Sequence, residues 1–150
     1  MFTSRLVLAE SSVPDFWVLA EPLVWQGETL GRYMFPSFVV PVGFLTDLAS
    51  IPRALRNLAA LDPDGKSRKP AVGHDWLYAW QKWGKAQSDL FLRETLQTEG
   101  CSHADAEAFY TAVRLFGDSS WADDAKPGLA SHFETPAAYG AWAAANEVHT

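Results

Sequence analysis

The apolar positions along this chain change period partway through. Up to about residue 45 they come in short β-branched or aromatic runs: Arg5-Leu6-Val7-Leu8, Phe16-Trp17-Val18-Leu19, Leu23-Val24-Trp25 and Phe38-Val39-Val40. Turn signals separate them, among them Val13-Pro14-Asp15, Gln26-Gly27 and Pro41-Val42-Gly43. Runs of this kind predict an antiparallel sheet with hairpin connections. Beyond residue 50 the spacing becomes helical. Ser50 can cap a short helix with Pro52 in its first turn and Leu55 and Leu58 on one face. A polar loop follows at Asp62-Pro63-Asp64-Gly65-Lys66. A second helix is predicted from near Pro70 to before Gly84, and a third from about Ala86 to Gly100, where glycine suits the C′ position. Ser102-His103-Ala104-Asp105 resembles a capping box that opens a fourth helix. There Ala106, Phe109, Tyr110 and Val113 form an i, i+3, i+4, i+7 stripe, and Gly117 is expected to end it.

The expected fold is α+β: a small antiparallel N-terminal sheet packed by three to four helices, with an appended C-terminal tail. Residues 1–117 are read as one domain. Residues 118–150 carry five acidic side chains, one Lys and no Arg, and Ala137 to Ala143 is small and aromatic. This stretch is expected to wrap the domain or dock on a partner, with a short helix inside it.

Composition narrows the classes. At 150 residues, 48% apolar and 20% charged, the chain can build a core. The net charge of −6 argues against nucleic-acid binding through a basic surface, and Lys66-Ser67-Arg68-Lys69 reads as a short solvated loop. One cysteine, Cys101 in a helix-cap context, excludes a disulfide framework and a Cys-based zinc site. No stretch reaches the roughly 20 apolar residues needed to span a bilayer, and no signal peptide is read. The chain is expected to be soluble. Seven Trp among 13% aromatics leave some rings for a partner surface.

Candidate chemistry concentrates in one place. On a helical wheel His74, Leu77, Tyr78 and Gln81 share one face, while Val72, Trp76, Ala79, Trp80 and Trp83 cover the other, so this helix should be largely buried. On the next helix Asp89 shares a face with Leu92 and Leu96, where an apolar residue is expected. A carboxylate there needs a partner, and His74 is the economical one. Asp89 would fix the tautomer of His74, whose other nitrogen could take a proton from water. Asp75, with Asp47 in a strand-to-helix loop, could hold Ca²⁺ or Mg²⁺ through oxygen. The structural alternative is equally physical. Asp75 lies near a helix start, Asp89 could pair with Arg93 at i+4, Asp47 could form an Asx turn or bond Ser50, and His74 and Tyr78 could be satisfied core residues. Arg53 and Arg114 read as structural ion-pair residues and His103 as exposed. His132 and His149 lack ligand spacing, and no phosphate loop or Gly-x-Ser-x-Gly elbow is present.

The blocks Val40-Pro41-Val42-Gly43-Phe44-Leu45-Thr46-Asp47-Leu48-Ala49-Ser50-Ile51-Pro52-Arg53, His74-Asp75-Trp76-Leu77-Tyr78 and Ser88-Asp89-Leu90-Phe91 resemble a family of small phage and prophage proteins known as a domain of unknown function. So do Phe16 to Trp25 and Tyr110 to Gly117, and the resemblance spans about residues 16–117. It implies a phage or prophage origin and no activity; with no signal peptide read, the chain is expected to be made in the host cytoplasm and could be carried into a virion. Implied partners are other phage structural proteins or a cell-envelope substrate. A shorter match is similar to secreted and viral phospholipases A2, with His-Asp-x-x-Tyr followed by Asp-x-x-Phe. That similarity implies His74 as base, Asp75 as Ca²⁺ ligand, Asp89 as orienting group and Tyr78 as support. The Gly-rich calcium loop and the disulfide cysteines of that family are missing here. Two expectations follow: a metal-assisted hydrolase acting on an ester or envelope bond, or a non-enzymatic virion or tail-associated protein.

Overall fold

A computed structural model describes residues 1–48 and 65–146. The expected helix at Ser50 to Leu58, the Asp62 to Asp64 part of the loop, Arg53 and His149 lie outside the described residues.

The N-terminal third is antiparallel, built from seven short strands: β1 (Leu8–Glu10), β2 (Trp17–Leu19), β3 (Leu23–Trp25), β4 (Glu28–Leu30), β5 (Tyr33–Phe35), β6 (Phe38–Val40) and β7 (Leu45–Thr46). They form three small sheets, β1-β2-β7, β3-β6 and β4-β5. The β4–β5 hairpin, absent from the sequence reading, turns at Gly31-Arg32 between the paired residues Leu30 and Tyr33. Gly31 has φ +60, the left-handed value that the first central position of a two-residue primed turn needs.

Among the described residues four α-helices follow. They are α1 (Arg68–Trp80), α2 (Lys85–Thr98), α3 (His103–Ala125) and α4 (Pro136–Ala145). Helix α1 is buried from Pro70 to Ala79, in keeping with its apolar circumference, and Gln81 closes it in a left-handed conformation. Helix α2 ends as its sequence implied. The Gly100 N–H donates to the Gln97 carbonyl and the Cys101 N–H to the Leu96 carbonyl, with Gly100 at φ +101. This is the double bond pattern of a Schellman end, and Cys101 is part of it. At the start of α3 the Ser102 hydroxyl accepts from the Asp105 N–H.

Gly117 does not end α3, which continues to Ala125. The glycine has a different job there. A Cβ on it would lie 2.7 Å from the Tyr78 hydroxyl and 3.3 Å from Lys85 Cε, so it admits α1 and α2 side chains against α3. The remaining segment returns to the core. Phe44 bridges to Phe133, Gly43 accepts from the Glu134 N–H, and Ala138 packs where a Cβ on Gly43 would be. Thr135 caps α4 with Pro136 in its first turn.

The core has two parts. The larger joins the strands to α1 through Leu19, Trp25, Phe35, Val40, Phe44, Trp76 and Phe133, with Phe91 of α2 ringed by Trp25, Phe35, Phe38 and Trp83. The smaller packs Leu92 and Leu96 of α2 on Phe109 and Val113 of α3.

Candidate functional site

Asp89 is where three helices are tied together. Its Oδ1 accepts from His74 Nε2 at 2.9 Å and from the Tyr78 hydroxyl at 2.6 Å, both from α1. Its Oδ2 accepts from Lys85 Nζ at 2.7 Å, one turn earlier on α2. Lys85 also donates to the Val113 carbonyl of α3 at 3.0 Å and lies 3.5 Å from Asp118. The Asp89 carboxylate is thus saturated by donors, which is what a buried anion requires. Helical spacing makes this possible: His74 and Tyr78 are i and i+4 on α1, and Lys85 and Asp89 are i and i+4 on α2.

The charge states follow from burial and these bonds. Burial pushes His74 below its ordinary value; its bond to Asp89 opposes this without reversing it. Burial alone would raise Asp89, but the hydrogen bonds from His74, Lys85 and Tyr78 hold it below the ordinary carboxylate value. Tyr78 is pushed up, first by burial and then by Asp89. Near neutral pH His74 is therefore a neutral imidazole, Asp89 a carboxylate and Tyr78 a phenol. An ionised Asp89 places the imidazole proton on Nε2. The ring is only 1% exposed, and the clefts described among the described residues are not lined by it.

The expected Asp89–Arg93 pair does not form. Arg93 bonds Glu94 at 2.7 Å and lies over the Tyr110 ring. Lys85, which the sequence reading passed over, takes that place from the other side. Its signal was available, since a lysine four residues before a carboxylate on one helix is a stock pairing. Arg114 lies against Tyr110 and has no ion pair among the described residues, and His103 is exposed at the first turn of α3.

Asp75 turns away from His74 and accepts from the Thr46 hydroxyl at 2.6 Å. The same Thr46 oxygen accepts from the Leu48 N–H. Beside it is a cleft of about 140 Å³ lined by Asp47, Asp75, Asp124 and His132, with Phe16 and Phe44. Burial raises the Asp124 carboxyl, and the charges of Asp47 and Asp123 push it the same way while His132 opposes them. Asp124 and His132 were not legible as cleft residues, because nothing in the sequence spacing links them to Asp47. Oxygen donors of this kind suit a hard cation. The fit is nevertheless incomplete. Asp47 and Asp75 already have partners, and among the described residues no three His, Cys, Asp or Glu side chains gather closely enough to hold a metal ion.

No helix among the described residues is long and apolar enough to cross a membrane. No curated protein and no solved structure matches the chain. One family model does match, over residues 17–113 and thus more than half the chain, a span that takes in β2 to β7, the His74–Asp89 network and the start of α3: the chain belongs to the family described as protein of unknown function DUF1353.

Proposed function

We propose that this chain is an accessory protein of a phage or prophage that works by contact with other virion or tail proteins, and that the His74–Asp89 network is a structural tie. The phage assignment rests on the sequence blocks around Thr46-Asp47, His74-Asp75 and Asp89. The contact reading rests on one observation: His74 is sealed at 1% exposure while Asp89 is saturated by His74, Tyr78 and Lys85. A general base needs a path for water and substrate. Apolar side chains are instead exposed elsewhere, on α3, where Leu115 and Phe116 are 66% and 63% exposed next to each other. Solvent-facing apolar pairs of this size suit a partner surface.

A second reading, a hydrolase, has its own supporting observation. Asp89 engages Nε2 and so leaves the Nδ1 lone pair of a neutral His74 as a base. Tyr78 would support the orienting carboxylate, and Asp75 lines the neighbouring cleft. Asp75 and Asp47 bring oxygen donors to that cleft but do not complete a cation site among the described residues, so this reading rests on His74 and Asp89.

The two readings separate in one experiment. The purified chain is assayed on short- and long-chain esters with Ca²⁺ or Mg²⁺, alongside His74→Asn and the double variant Leu115→Ser/Phe116→Ser. The contact reading expects no turnover above buffer, and expects the α3 variant, still folded, to lose incorporation into particles. Turnover abolished by a folded His74→Asn protein would overturn it in favour of the hydrolase.

A further inference from the structure

The strand ribbon β1-β2-β7 separates two depressions, and alternation along the strands gives them different chemistry. Phe16, Leu45 and Asp47 face the acidic cleft. Leu6, Leu8, Trp17 and Leu48, at the alternate positions, line a groove of about 500 Å³ on the other side. Trp17 is 43% exposed there, an unusual placement for the largest apolar side chain.

The far wall of the groove is cationic. Arg68 and Lys69, in the first turn of α1, line it. Among the described residues neither has an ion-pair partner, and no acidic residue occupies that first turn. Two cations at the positive end of a helix are unfavourably placed until an anion joins them. Arg5 also lines the groove, but Glu21 holds its guanidinium through two bonds of 2.9 and 2.7 Å, so it adds little free charge. No carboxylate lines the groove among the described residues, although the chain carries a net charge of −6. An apolar wall facing two cations that have no ion-pair partner among the described residues, in a space of ligand size, is complementary to one kind of molecule.

We propose that this groove binds a monomeric, single-chain anionic amphiphile. Its alkyl chain lies along Leu6, Leu8, Trp17 and Leu48, and its phosphate or carboxylate head is held by Arg68 and Lys69. The site is separate from the His74–Asp89 network and does not depend on how that network is read.

The test is calorimetric titration of the full chain with dodecyl phosphate below its micellar concentration. Dodecyl maltoside, inorganic phosphate and anionic phospholipid vesicles serve as comparison probes. Dodecyl phosphate should bind with a Kd in the micromolar range, at least tenfold tighter than the maltoside or phosphate. Arg68→Ser/Lys69→Ser should weaken it at least tenfold, and Trp17→Ala should do so separately. Both changes are on partly or fully exposed side chains, and circular dichroism would check the fold. No binding of dodecyl phosphate, equal binding of the maltoside, equal binding of phosphate alone, or binding to vesicles without binding to the monomer would each overturn the proposal.

Discussion

The Tyr78 hydroxyl lies 2.7 Å from the point where a Cβ on Gly117 would sit, so the tyrosine reaches Asp89 only because residue 117 has no side chain. Gly117→Ala should therefore destabilise the fold by about 1–3 kcal/mol, the usual range for overpacking. Urea unfolding measures it. Removing the hydroxyl with Tyr78→Phe should reduce the cost of Gly117→Ala, because the two changes share one contact. Simply additive costs would show that they do not.

Asp89 should be the most costly residue of the network to truncate. Asp89→Ala strands Lys85, His74 and Tyr78 without their acceptor, and removing one partner of a buried charge pair costs about 3–5 kcal/mol. Lys85→Met leaves two of the three donors on Asp89 and should cost less, about 1–3 kcal/mol. Denaturant midpoints for the two variants test this order, and a Lys85→Met protein less stable than Asp89→Ala would reverse the account of which group is central.

Stability should depend on pH in a way set by three groups. His74 is held below its ordinary 6.5 by burial, so the unfolded chain takes up that proton first. Its contribution is complete above pH 6.5 and declines as pH falls below it. Asp89, held below its ordinary 3.8, adds a further loss as pH falls through its folded value. Tyr78 is raised above its ordinary 10.0, so its contribution holds below pH 10.0 and declines above it. The unfolding free energy should therefore be flat between these limits and fall on both sides. In a folded His74→Gln protein the slope beginning at pH 6.5 should disappear; its persistence would assign that slope to another group.

The C-terminal segment should contribute to core stability. Phe133 packs on Phe44 and Trp76, and Trp142 lies 5.5 Å from the Trp76 ring. Phe133→Ala should cost about 3–5 kcal/mol, the range for deleting a buried aromatic. Near-ultraviolet circular dichroism should lose signal from the Trp76 cluster in the same variant. An unchanged spectrum with unchanged stability would mean the segment is dispensable.

Much of this was legible in the sequence, for identifiable reasons. The switch from short β-branched runs to helical spacing was enough for the α+β class. Asp89 at an apolar position of its helix called for a partner, and His74 lies within hydrogen-bond reach of it. Gly100 as a helix end was a local matter of backbone conformation and could be read directly. Gly117 could not be, because its role is a contact with Tyr78, 39 positions earlier, and a helix-ending glycine looks the same in one dimension. The β4–β5 hairpin was hidden because Glu28 to Phe35 lacks a long apolar run. The grouping of Asp47 and Asp75 with Asp124 and His132 is tertiary in the same way. Exposure of His74 was the one property on which both functional expectations turned, and no sequence pattern carries it.

That exposure is open to direct measurement. Diethylpyrocarbonate modifies accessible neutral imidazoles, and mass spectrometry of the digested protein gives a rate for each histidine. His103, exposed at the start of α3, is the internal reference, and His74, 1% exposed and bonded to Asp89, should stay unmodified until the protein is unfolded in urea. Modification of native His74 at a rate comparable to His103 would contradict the sealed network and with it the reading of His74 and Asp89 as a structural tie.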